Sequence, residues 1–340
     1  MIKKIVYAAV PIFLLVLMTC SSNGKVHRKR LFFRMDTVSE ITLSVPESFD
    51  VDTVWKKVDS FLAQSEKRFS VSRAGSEVRL LNERSKKSMP VSDDLGEMLR
   101  LGLAYGDTLD GAFDITVLPL KELWGFDEQA NGDAPLPEPA QVKDALSKVD
   151  YRKVELNDAA DEVTIESPEI RIDVGGIAKG YVLRQLEELV RSYGINDYLI
   201  VAGGDIVSSG ARADNSSWVI GVQHPRNRSE MLATLPLDKG ALVTSGDYER
   251  FRVVDGRRYH HLFDTRTGYS CGENRSLTIW ATDPVIADIY STGLFCRSAR
   301  EILQFVQDRP DLECIVVDSN GKAHISSGWK NKVNLGSGSS

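Results

Sequence analysis

The chain has 340 residues, of which 42% are hydrophobic and 26% charged, and its net charge is −6. These values are typical of a protein that buries one large apolar core, and the negative charge argues against nucleic acid or bulk anionic lipid as a partner. No linker inside the chain is long enough to require a second domain.

The N-terminus has the layout of an export signal. A basic start precedes an apolar run over residues 5–18, which is short for a membrane span, and Cys20 follows it. This layout resembles a bacterial lipoprotein signal and predicts a signal peptide at 1–19, a lipid on Cys20 and a polar tether at 20–30. An ordinary cleaved signal and an uncleaved anchor are the alternatives. All three place the folded part outside the cytoplasm, and the lipoprotein interpretation predicts a lipid-anchored protein of the bacterial cell envelope, on the periplasmic side.

The first half of the mature chain predicts one strand, then helices, then a structured loop. Residue alternation favours the strand, and helical spacing of apolar residues favours the helices. The expected elements are a strand at 31–45 and helices at 51–69, 76–82 and 93–109, the last two with Ser76 and Ser92 as N-caps.

The segment 111–126 is apolar yet rich in turn-forming residues, and it carries the carboxylate of Asp114 at its middle. Such a segment is either an ordinary packing feature or a wall for a flat ligand. The prolines that follow predict an exposed loop at 127–140, and residues 151–165 predict a hairpin.

The glycine turn at residues 175–176 is the centre of the pattern. Apolar alternation predicts a buried strand before it, helical spacing predicts a helix from Ala178 that stops at Gly194, and a second apolar strand follows at 198–202. Strand, helix and strand with glycine at each corner indicate a βαβ-like unit. A helix start beside the ammonium of Lys179 suits a phosphate, although a plain turn with a surface lysine fits the spacing equally well.

The C-terminal half predicts short strands and a pair of helices. We expect strands at 218–223, 232–237, 241–243, 277–281, 314–318 and 322–326, helices at 284–295 and 299–307, and a disordered tail at 331–340. Asp288 and Thr292 are four residues apart and share one helical face, where they suit a hard cation or an ordinary Thr-to-backbone bond. His260 and His261 point to opposite faces of a strand, so at most one of them serves a given site.

Beyond Cys20, the cysteines are Cys271, Cys296 and Cys314, and none of their spacings is typical of a zinc site. One disulfide with a spare thiol would account for this odd number. We expect instead that all of them are buried as small apolar residues.

Taken together, these segments resemble the ApbE family, the FAD:protein FMN transferases. The motifs that carry the resemblance occur in family order from Met35 to Phe295. They are Met35-Asp36-Thr37; Ser76-Glu77-Val78 with Asn82; Gly111-Ala112-Phe113-Asp114-Ile115-Thr116 with Trp124-Gly125-Phe126; Asp173-Val174-Gly175-Gly176-Ile177-Ala178-Lys179-Gly180; Gly203-Gly204-Asp205; Thr244-Ser245-Gly246-Asp247-Tyr248; His261-Leu262-Phe263-Asp264 with Thr267-Gly268; and Ala287-Asp288 with Ser291-Thr292.

The resemblance implies an α+β fold, a single compact ApbE-like (T-fold-like) unit over residues 31–330 with mixed sheets and packed helices. It also implies Mg²⁺-dependent transfer of FMN from FAD to a Ser or Thr hydroxyl, with release of AMP. The acceptor would be an extracytoplasmic flavoprotein subunit of a membrane redox complex.

The family pattern carries over to this chain residue by residue. The implied FAD contacts are Met35, Ala112, Phe113, Asp114 and Asp173, with Lys179 near the pyrophosphate and with Leu262 and Phe263 packed on the flavin. The implied metal ligands are the Gly176 carbonyl, Asp288 and Thr292, with Ser291 close by. His261 would help to deprotonate the acceptor hydroxyl, so His261, Lys179 and Asp288 are the expected catalytic residues.

Ser72 stands where the family often has an aromatic residue, and we count it among the FAD contacts. Without a ring there, hydrolysis of FAD to FMN and AMP is an alternative to transfer. A flavin-binding lipoprotein without enzymatic activity is the third interpretation.

Overall fold

The centre of the fold is an eight-stranded sheet with the strand order β1-β2-β6-β7-β10-β13-β14-β15, in which every neighbouring pair is antiparallel. The computed structural model describes residues 24–35, 37–126, 135–157 and 161–336. The strands are β1 (Lys25–Arg34), β2 (Thr37–Pro46), β3 (Ser88–Pro90), β4 (Val154–Asn157), β5 (Glu162–Ile165), β6 (Tyr198–Ala202), β7 (Asp205–Ser209), β8 (Val219–Gln223), β9 (Met231–Pro236), β10 (Lys239–Gly246), β11 (Phe251–Val254), β12 (Arg257–His260), β13 (Asn274–Ala281), β14 (Leu312–Asp318), β15 (Ala323–Ile325) and β16 (Asn334–Leu335).

Several helices begin at polar N-cap residues that the sequence supplies. Ser76 accepts a hydrogen bond from the Arg79 amide at 3.1 Å, and Ser92 accepts one from the Leu95 amide at 3.3 Å, which confirms both predicted N-caps. The helices are α1 (Asp52–Phe69), α2 (Glu77–Asn82), α3 (Asp93–Thr108), α4 (Leu118–Leu123), α5 (Pro139–Leu146), α6 (Ala178–Ser192), α7 (Pro284–Gly293) and α8 (Ala299–Gln307). In the parts of the chain that the structure describes, no helix is long and apolar enough to cross a membrane.

Helices α6 and α7 pack against each other, and residues of both belong to the largest apolar core together with strands of the main sheet. Their close approach depends on Gly180. A Cβ atom on that residue would lie 2.4 Å from the Pro284 carbonyl oxygen and 2.9 Å from the Asp288 Cβ. A side chain there would push the helices apart, so Gly180 fixes how α7 sits over the start of α6.

Three smaller sheets surround this core, and they comprise β3-β5-β4, β16-β9-β8 and the hairpin β11-β12. A satellite apolar cluster forms around Trp124 and includes Leu120, Phe126 and Phe263. The predicted α+β class is confirmed, and so is the hairpin expected within residues 151–165.

The predicted βαβ unit is wrong. Strand β6 pairs antiparallel with β2 and β7, and the segment 170–174 forms only an isolated bridge between Arg171 and Val117. A side chain takes the place of a neighbouring strand there. The Asn82 amide donates to the Ile172 carbonyl at 2.8 Å and accepts from the Ile172 amide at 2.6 Å. The Asn82 side chain satisfies the hydrogen bonds that a neighbouring strand would otherwise make. The segment can therefore be buried and apolar without forming a strand.

The chain ends also differ from the prediction. Residues 25–30, predicted as part of the tether, belong to β1, which pairs along its whole length with β2. In the predicted tail, Val333 is buried and β16 pairs with β9, so residues 331–336 are part of the fold. The predicted signal peptide (1–19), Cys20, residues 127–134 of the predicted loop and residues 337–340 lie outside the described residues. Helix α5, which begins at the end of that loop, was not predicted.

The expectation for the cysteines is wrong for two of them. Cys271 and Cys296 form a disulfide, and Cys314 is buried as a free thiol. The bond connects the segment that follows β12 to the C-terminal end of α7, with a sequence separation of 25. It therefore ties the histidine-bearing segment to the helix that carries Asp288.

Candidate active site

Asp288 is the buried carboxylate at the centre of the site. It is only 2% exposed, and its Oδ2 accepts a hydrogen bond of 2.9 Å from the Gly180 amide in the first turn of α6. The positive end of the α6 dipole thus faces Asp288. One of the amides at the helix start, where a phosphate was one of the predicted alternatives, is thus already bonded to this carboxylate.

Lys179 interacts electrostatically with two buried carboxylates. Its Nζ forms an ion pair with Asp205 Oδ2, and Asp205 Oδ1 accepts from the Thr244 amide at 3.1 Å. Burial alone would lower the pKa of Lys179, but Asp205 and Asp288 raise it, so its ammonium stays charged. The Lys179 side chain is nevertheless 45% exposed, which leaves its charge accessible to a ligand. Lys179 and Asp288 therefore lie close enough for their charges to interact.

The same charges act on Asp288. Burial raises the pKa of its carboxyl to about 6, Lys179 opposes that rise, and the neighbouring carboxylate of Asp205 adds to it. Two buried carboxylates thus share the ammonium of Lys179. This arrangement leaves negative charge that a bound cation would neutralise.

Thr292 lies next to the glycine turn. A Cβ atom on Gly176 would be 3.4 Å from Thr292 Oγ1 and 3.1 Å from Phe113 Cε2. The glycine turn, α7 and the segment 111–126, which we call the aromatic loop, therefore meet at this point. Ser291 is fully buried, and its hydroxyl donates to the Asp288 carbonyl at 3.0 Å and lies 2.9 Å from Ser245 Oγ. Ser291 therefore ties α7 to β10.

Asp173 is held in the turn by a buried ion pair. Its Oδ1 accepts from the Gly175 amide at 2.6 Å, and its Oδ2 pairs with the Lys121 ammonium of α4. The side chains of Asp173 and Lys121 are 3% and 14% exposed. Burial alone would raise the pKa of Asp173, but Lys121 and the Gly175 amide hold it below the ordinary value, so the carboxylate is charged.

The two histidines have different environments, but they do not share a strand as predicted, because β12 ends at His260 and His261 follows it. His260 is buried, its Nε2 lies 2.8 Å from the Cys271 carbonyl, and its Nδ1 accepts from the Leu262 amide at 3.3 Å. His261 is half-buried, and its Nδ1 lies 3.3 Å from the Arg250 carbonyl. A carbonyl can only accept, so this contact assigns the proton of His261 to Nδ1 and leaves Nε2 with its lone pair.

The pKa of His261 lies well below its ordinary value. Burial is the largest cause, and the nearby charges of Lys121 and Arg250 add to it. His261 is therefore neutral at pH 7, which is the form that accepts a proton.

The aromatic loop holds its own carboxylate. Asp114 Oδ1 accepts from the Thr116 amide at 2.7 Å and from its hydroxyl at 2.6 Å, while Oδ2 accepts from the Tyr151 amide at 3.1 Å. Asp114 thus orders the loop that positions Phe113.

Ala112 and Phe263 line one pocket of about 590 Å³, whose remaining wall includes α8 and the arginines Arg266, Arg297, Arg300 and Arg309. Leu262 is buried in the largest core and Phe263 in the satellite cluster around Trp124. Lys179, Asp288 and His261 do not line this pocket. The charged cluster around Lys179 therefore lies outside this pocket.

Met35 and Ser72 both lie near the C-terminal end of α1. Met35 has a φ of 56° after β1, and its amide donates to Glu66 of α1 at 3.3 Å. Ser72 lies between α1 and α2, where its carbonyl accepts from Arg79 at 2.6 Å and its hydroxyl lies 3.1 Å from Ser70 Oγ. Their contact with FAD stays a prediction.

Sequence reasoning missed the charged residues that surround this site. Asp205 was noted only as part of a glycine motif, although its position at the corner between β6 and β7 was a usable signal. Lys121 gave no signal, because only the fold brings α4 to Asp173. Glu249 was also missed; burial raises its pKa, and Lys179 lowers it.

In the part of the chain that the structure describes, no metal centre is built from charged side chains alone. Within the described ranges, no three histidine, cysteine, aspartate or glutamate side chains converge so that they could hold a metal ion. A metal at Asp288 would therefore also need hydroxyl and carbonyl oxygens, which Thr292 and Gly176 offer.

Comparisons with known proteins agree with this architecture. The model of the ApbE family matches residues 35–316. An FAD:protein FMN transferase of Klebsiella pneumoniae is 28% identical over 274 residues, which cover 80% of this chain and 84% of that protein. One from Treponema pallidum is 27% identical over 304 residues, covering 84% of this chain and 83% of the relative.

Solved structures show the same fold. The crystal structure of the ApbE protein of Thermotoga maritima superimposes with a TM-score of 0.84 at 29% identity, and the match covers 90% of this chain and 99% of that one. The flavin transferase ApbE from Vibrio cholerae gives a TM-score of 0.81 at 23% identity, covering 91% and 99%.

Proposed function

This chain belongs to the ApbE family, and we propose that it is an FAD:protein FMN transferase that moves FMN from FAD to a Ser or Thr hydroxyl of a flavoprotein and releases AMP. The relatives that carry this name match most of the chain. The observation that supports the proposal most strongly is the convergence of Lys179, Asp205 and Asp288 at the glycine turn.

The oxygens around Asp288 fit Mg²⁺. A carboxylate, a hydroxyl and a carbonyl are the hard ligands this ion prefers, and Asp288, Thr292 and Gly176 supply them. Because Asp205 and Asp288 are buried and share the ammonium of Lys179, a divalent cation would neutralise charge that the protein leaves uncompensated. The hydroxyl of Ser291 is hydrogen-bonded to Ser245 and to the Asp288 carbonyl. We therefore propose that Ser291 holds α7 in place and does not bind the metal. When bound, Mg²⁺ would stabilise negative charge on the phosphate oxygens.

Lys179 is the residue that binds the diphosphate. The ion pair with Asp205 holds its ammonium in place, and the Lys179 side chain is partly exposed. In phosphoryl transfer, the protein contributes mainly position and positive charge. Lys179 supplies both, since Asp205 fixes it before the substrate arrives.

His261 is the residue that accepts the proton of the acceptor hydroxyl. The hydroxyl oxygen bonds to the phosphorus of the FMN half, the bond from that phosphorus to the bridging oxygen breaks, and the bridging oxygen leaves with AMP. The proton moves to Nε2 of His261, whose Nδ1 is fixed by the Arg250 carbonyl. A positioned base of this kind contributes about 10²- to 10⁴-fold to the rate.

The setting of the reaction belongs to the same proposal. The N-terminal pattern supports a lipid on Cys20 and an extracytoplasmic, membrane-anchored enzyme. The acceptor would then be an extracytoplasmic subunit of a membrane redox complex. Incubation of the protein with FAD, Mg²⁺ and a flavin-free acceptor subunit tests the transfer, with a covalent FMN on the acceptor as the expected product.

Hydrolysis of FAD to FMN and AMP is the second candidate function. It is favoured by Ser72, a small side chain where a ring would otherwise stack on the cofactor. Release of AMP in the absence of any acceptor protein distinguishes hydrolysis from transfer.

A further inference from the structure

Strands β11 and β12 form a hairpin that pairs with no other strand among those described. Its two ends lie in the candidate active site. Arg250 immediately precedes β11, His261 immediately follows β12, and the His261 amide donates to the Arg250 carbonyl at 3.2 Å. Any molecule that rests on this hairpin is therefore positioned relative to the proposed base.

One face of the hairpin is anchored to the protein. Tyr259 stacks on Trp124 of the satellite cluster, with ring centroids 5.4 Å apart. Arg252 lies opposite Tyr259 in the strand register, on the same face. A two-stranded sheet is marginally stable by itself, so this packing holds the hairpin in place.

On the opposite face, His260 is buried, whereas two apolar side chains are accessible to solvent. Phe251 pairs with His260 and Val253 pairs with Arg258, which puts Phe251 and Val253 on one face. Phe251 is 40% exposed and Val253 is 55% exposed. The guanidinium of Arg258 lies 3.7 Å from the centroid of the Phe251 ring and frames this apolar surface with positive charge.

The hairpin is basic although the whole chain is acidic. Arg252, Arg257 and Arg258 lie on its strands, and Asp255 at the turn is the acid between them. This local positive charge would attract an acidic partner by long-range electrostatics and would repel a basic one.

We propose that the β11–β12 hairpin is the docking surface for the acceptor protein, which binds it through an extended acidic segment with apolar side chains. This inference rests on the proposed function, because transfer requires a protein substrate whose hydroxyl reaches His261. Strand residues advance by about 3.3 Å, so a segment seated on Val253 and Phe251 reaches the base of the hairpin within a few residues. Exposed aromatic and arginine side chains are typical anchors of protein interfaces.

The test compares Phe251→Ser/Val253→Ser with the wild type. The probe is the flavin-free extracytoplasmic domain of a redox-complex subunit that natively carries covalent FMN on Ser or Thr. We expect the KM for this domain and its Kd in a direct binding assay to rise about tenfold or more, while FAD affinity and the melting temperature stay unchanged. The matched control is Val219→Ser/Met231→Ser, because these side chains are 66% and 59% exposed on β8 and β9.

A second variant tests the charge. Arg257→Glu leaves the apolar face unchanged. It should weaken acceptor binding and make that binding less dependent on salt. An unchanged KM and Kd in both variants, with a wild type that transfers FMN, overturns the docking surface and leaves the proposed function intact. A wild type that neither binds nor modifies the domain overturns both.

A membrane is the competing occupant. The test is sedimentation with phosphatidylglycerol vesicles. If the Phe251→Ser/Val253→Ser variant loses vesicle binding but keeps acceptor binding, the hairpin binds lipid and the proposal is contradicted. Loss of acceptor binding with unchanged vesicle binding supports it.

Discussion

The Gly180 amide donates a 2.9 Å hydrogen bond to the Asp288 carboxylate, so the residue expected to bind the metal also caps the helix that carries Lys179. The two functional groups are thereby fixed relative to each other by a backbone contact. Gly180 permits the contact, because a Cβ at that position would lie 2.9 Å from the Asp288 Cβ.

Asp288→Asn tests the metal site. The amide oxygen of asparagine still accepts from Gly180, but the charge that attracts Mg²⁺ is lost. We expect Mg²⁺ affinity and the transfer rate to fall by about 10²-fold or more, while the melting temperature without Mg²⁺ stays the same or rises, since a buried carboxylate is removed. Isothermal titration with Mg²⁺ and single-turnover kinetics measure these effects. Asp308→Asn on the exposed end of α8 is the control, and equal Mg²⁺ affinity in both variants would contradict the assignment.

Lys121→Met tests the buried pair with Asp173. Removal of the ammonium leaves a carboxylate that is 3% exposed without its counter-charge, which typically costs about 3–5 kcal/mol in the free energy of unfolding. Urea unfolding measures that cost, and FAD affinity should fall with it because the glycine turn loses its anchor. Lys121→Arg should restore most of the stability. A change below about 0.5 kcal/mol for Lys121→Met would show that the pair is not a stabilising element.

The lowered pKa values of the two histidines predict how the free energy of unfolding depends on pH. Burial lowers the pKa of His260 and of His261 below the ordinary value of about 6.5. The unfolded chain therefore binds more protons in this range, so their contribution to stability is fully present above about pH 6.5 and is lost as the pH falls below it.

Asp288 has the opposite effect on the pH dependence of stability. Its pKa is raised to about 6, so the folded state binds more protons than the unfolded chain below that pH. Because Asp288 is present in both proteins, its effect cancels when wild type and His261→Asn are compared. The measurement is therefore the difference in their unfolding free energies at pH 7.5 and at pH 5.5. The wild-type advantage should shrink at pH 5.5, and a constant difference would show that His261 titrates normally. In transfer assays at saturating Mg²⁺, the same variant should lose about 10²- to 10⁴-fold in rate.

The disulfide gives a stability prediction. Replacement of both Cys271 and Cys296 by alanine should lower the free energy of unfolding by about 2–4 kcal/mol, because the bond closes a loop with a sequence separation of 25. It should also loosen the segment of His261 relative to α7. Thermal unfolding with and without reductant measures the effect in the wild type. The double variant should not respond to reductant, and an equal response would contradict this prediction.

Local signals predicted the local structure well. Ser76 and Ser92 cap the expected helices, and the spacing of Asp288 and Thr292 placed both on α7. These features depend on residues a few positions apart, which a sequence displays directly.

Features that depend on distant contacts were not predictable in this way. Asn82 imitates a neighbouring strand for Ile172, so apolar alternation alone suggested a βαβ unit that does not exist. Lys121 reaches Asp173 only after α4 has packed, and the pairing of Cys271 with Cys296 depends on where α7 ends. The motif set that resembles the ApbE family supplied the long-range information that periodicity lacks.

The most direct test of the proposed transfer is intact-protein mass spectrometry of a flavin-free acceptor subunit after incubation with FAD, Mg²⁺ and this protein. With the wild type, the acceptor should gain the mass of one FMN less one water on a Ser or Thr, and it should gain none with Asp288→Asn or Lys179→Met. An unmodified acceptor after incubation with the wild type, in a preparation that another flavin transferase does modify, would contradict it.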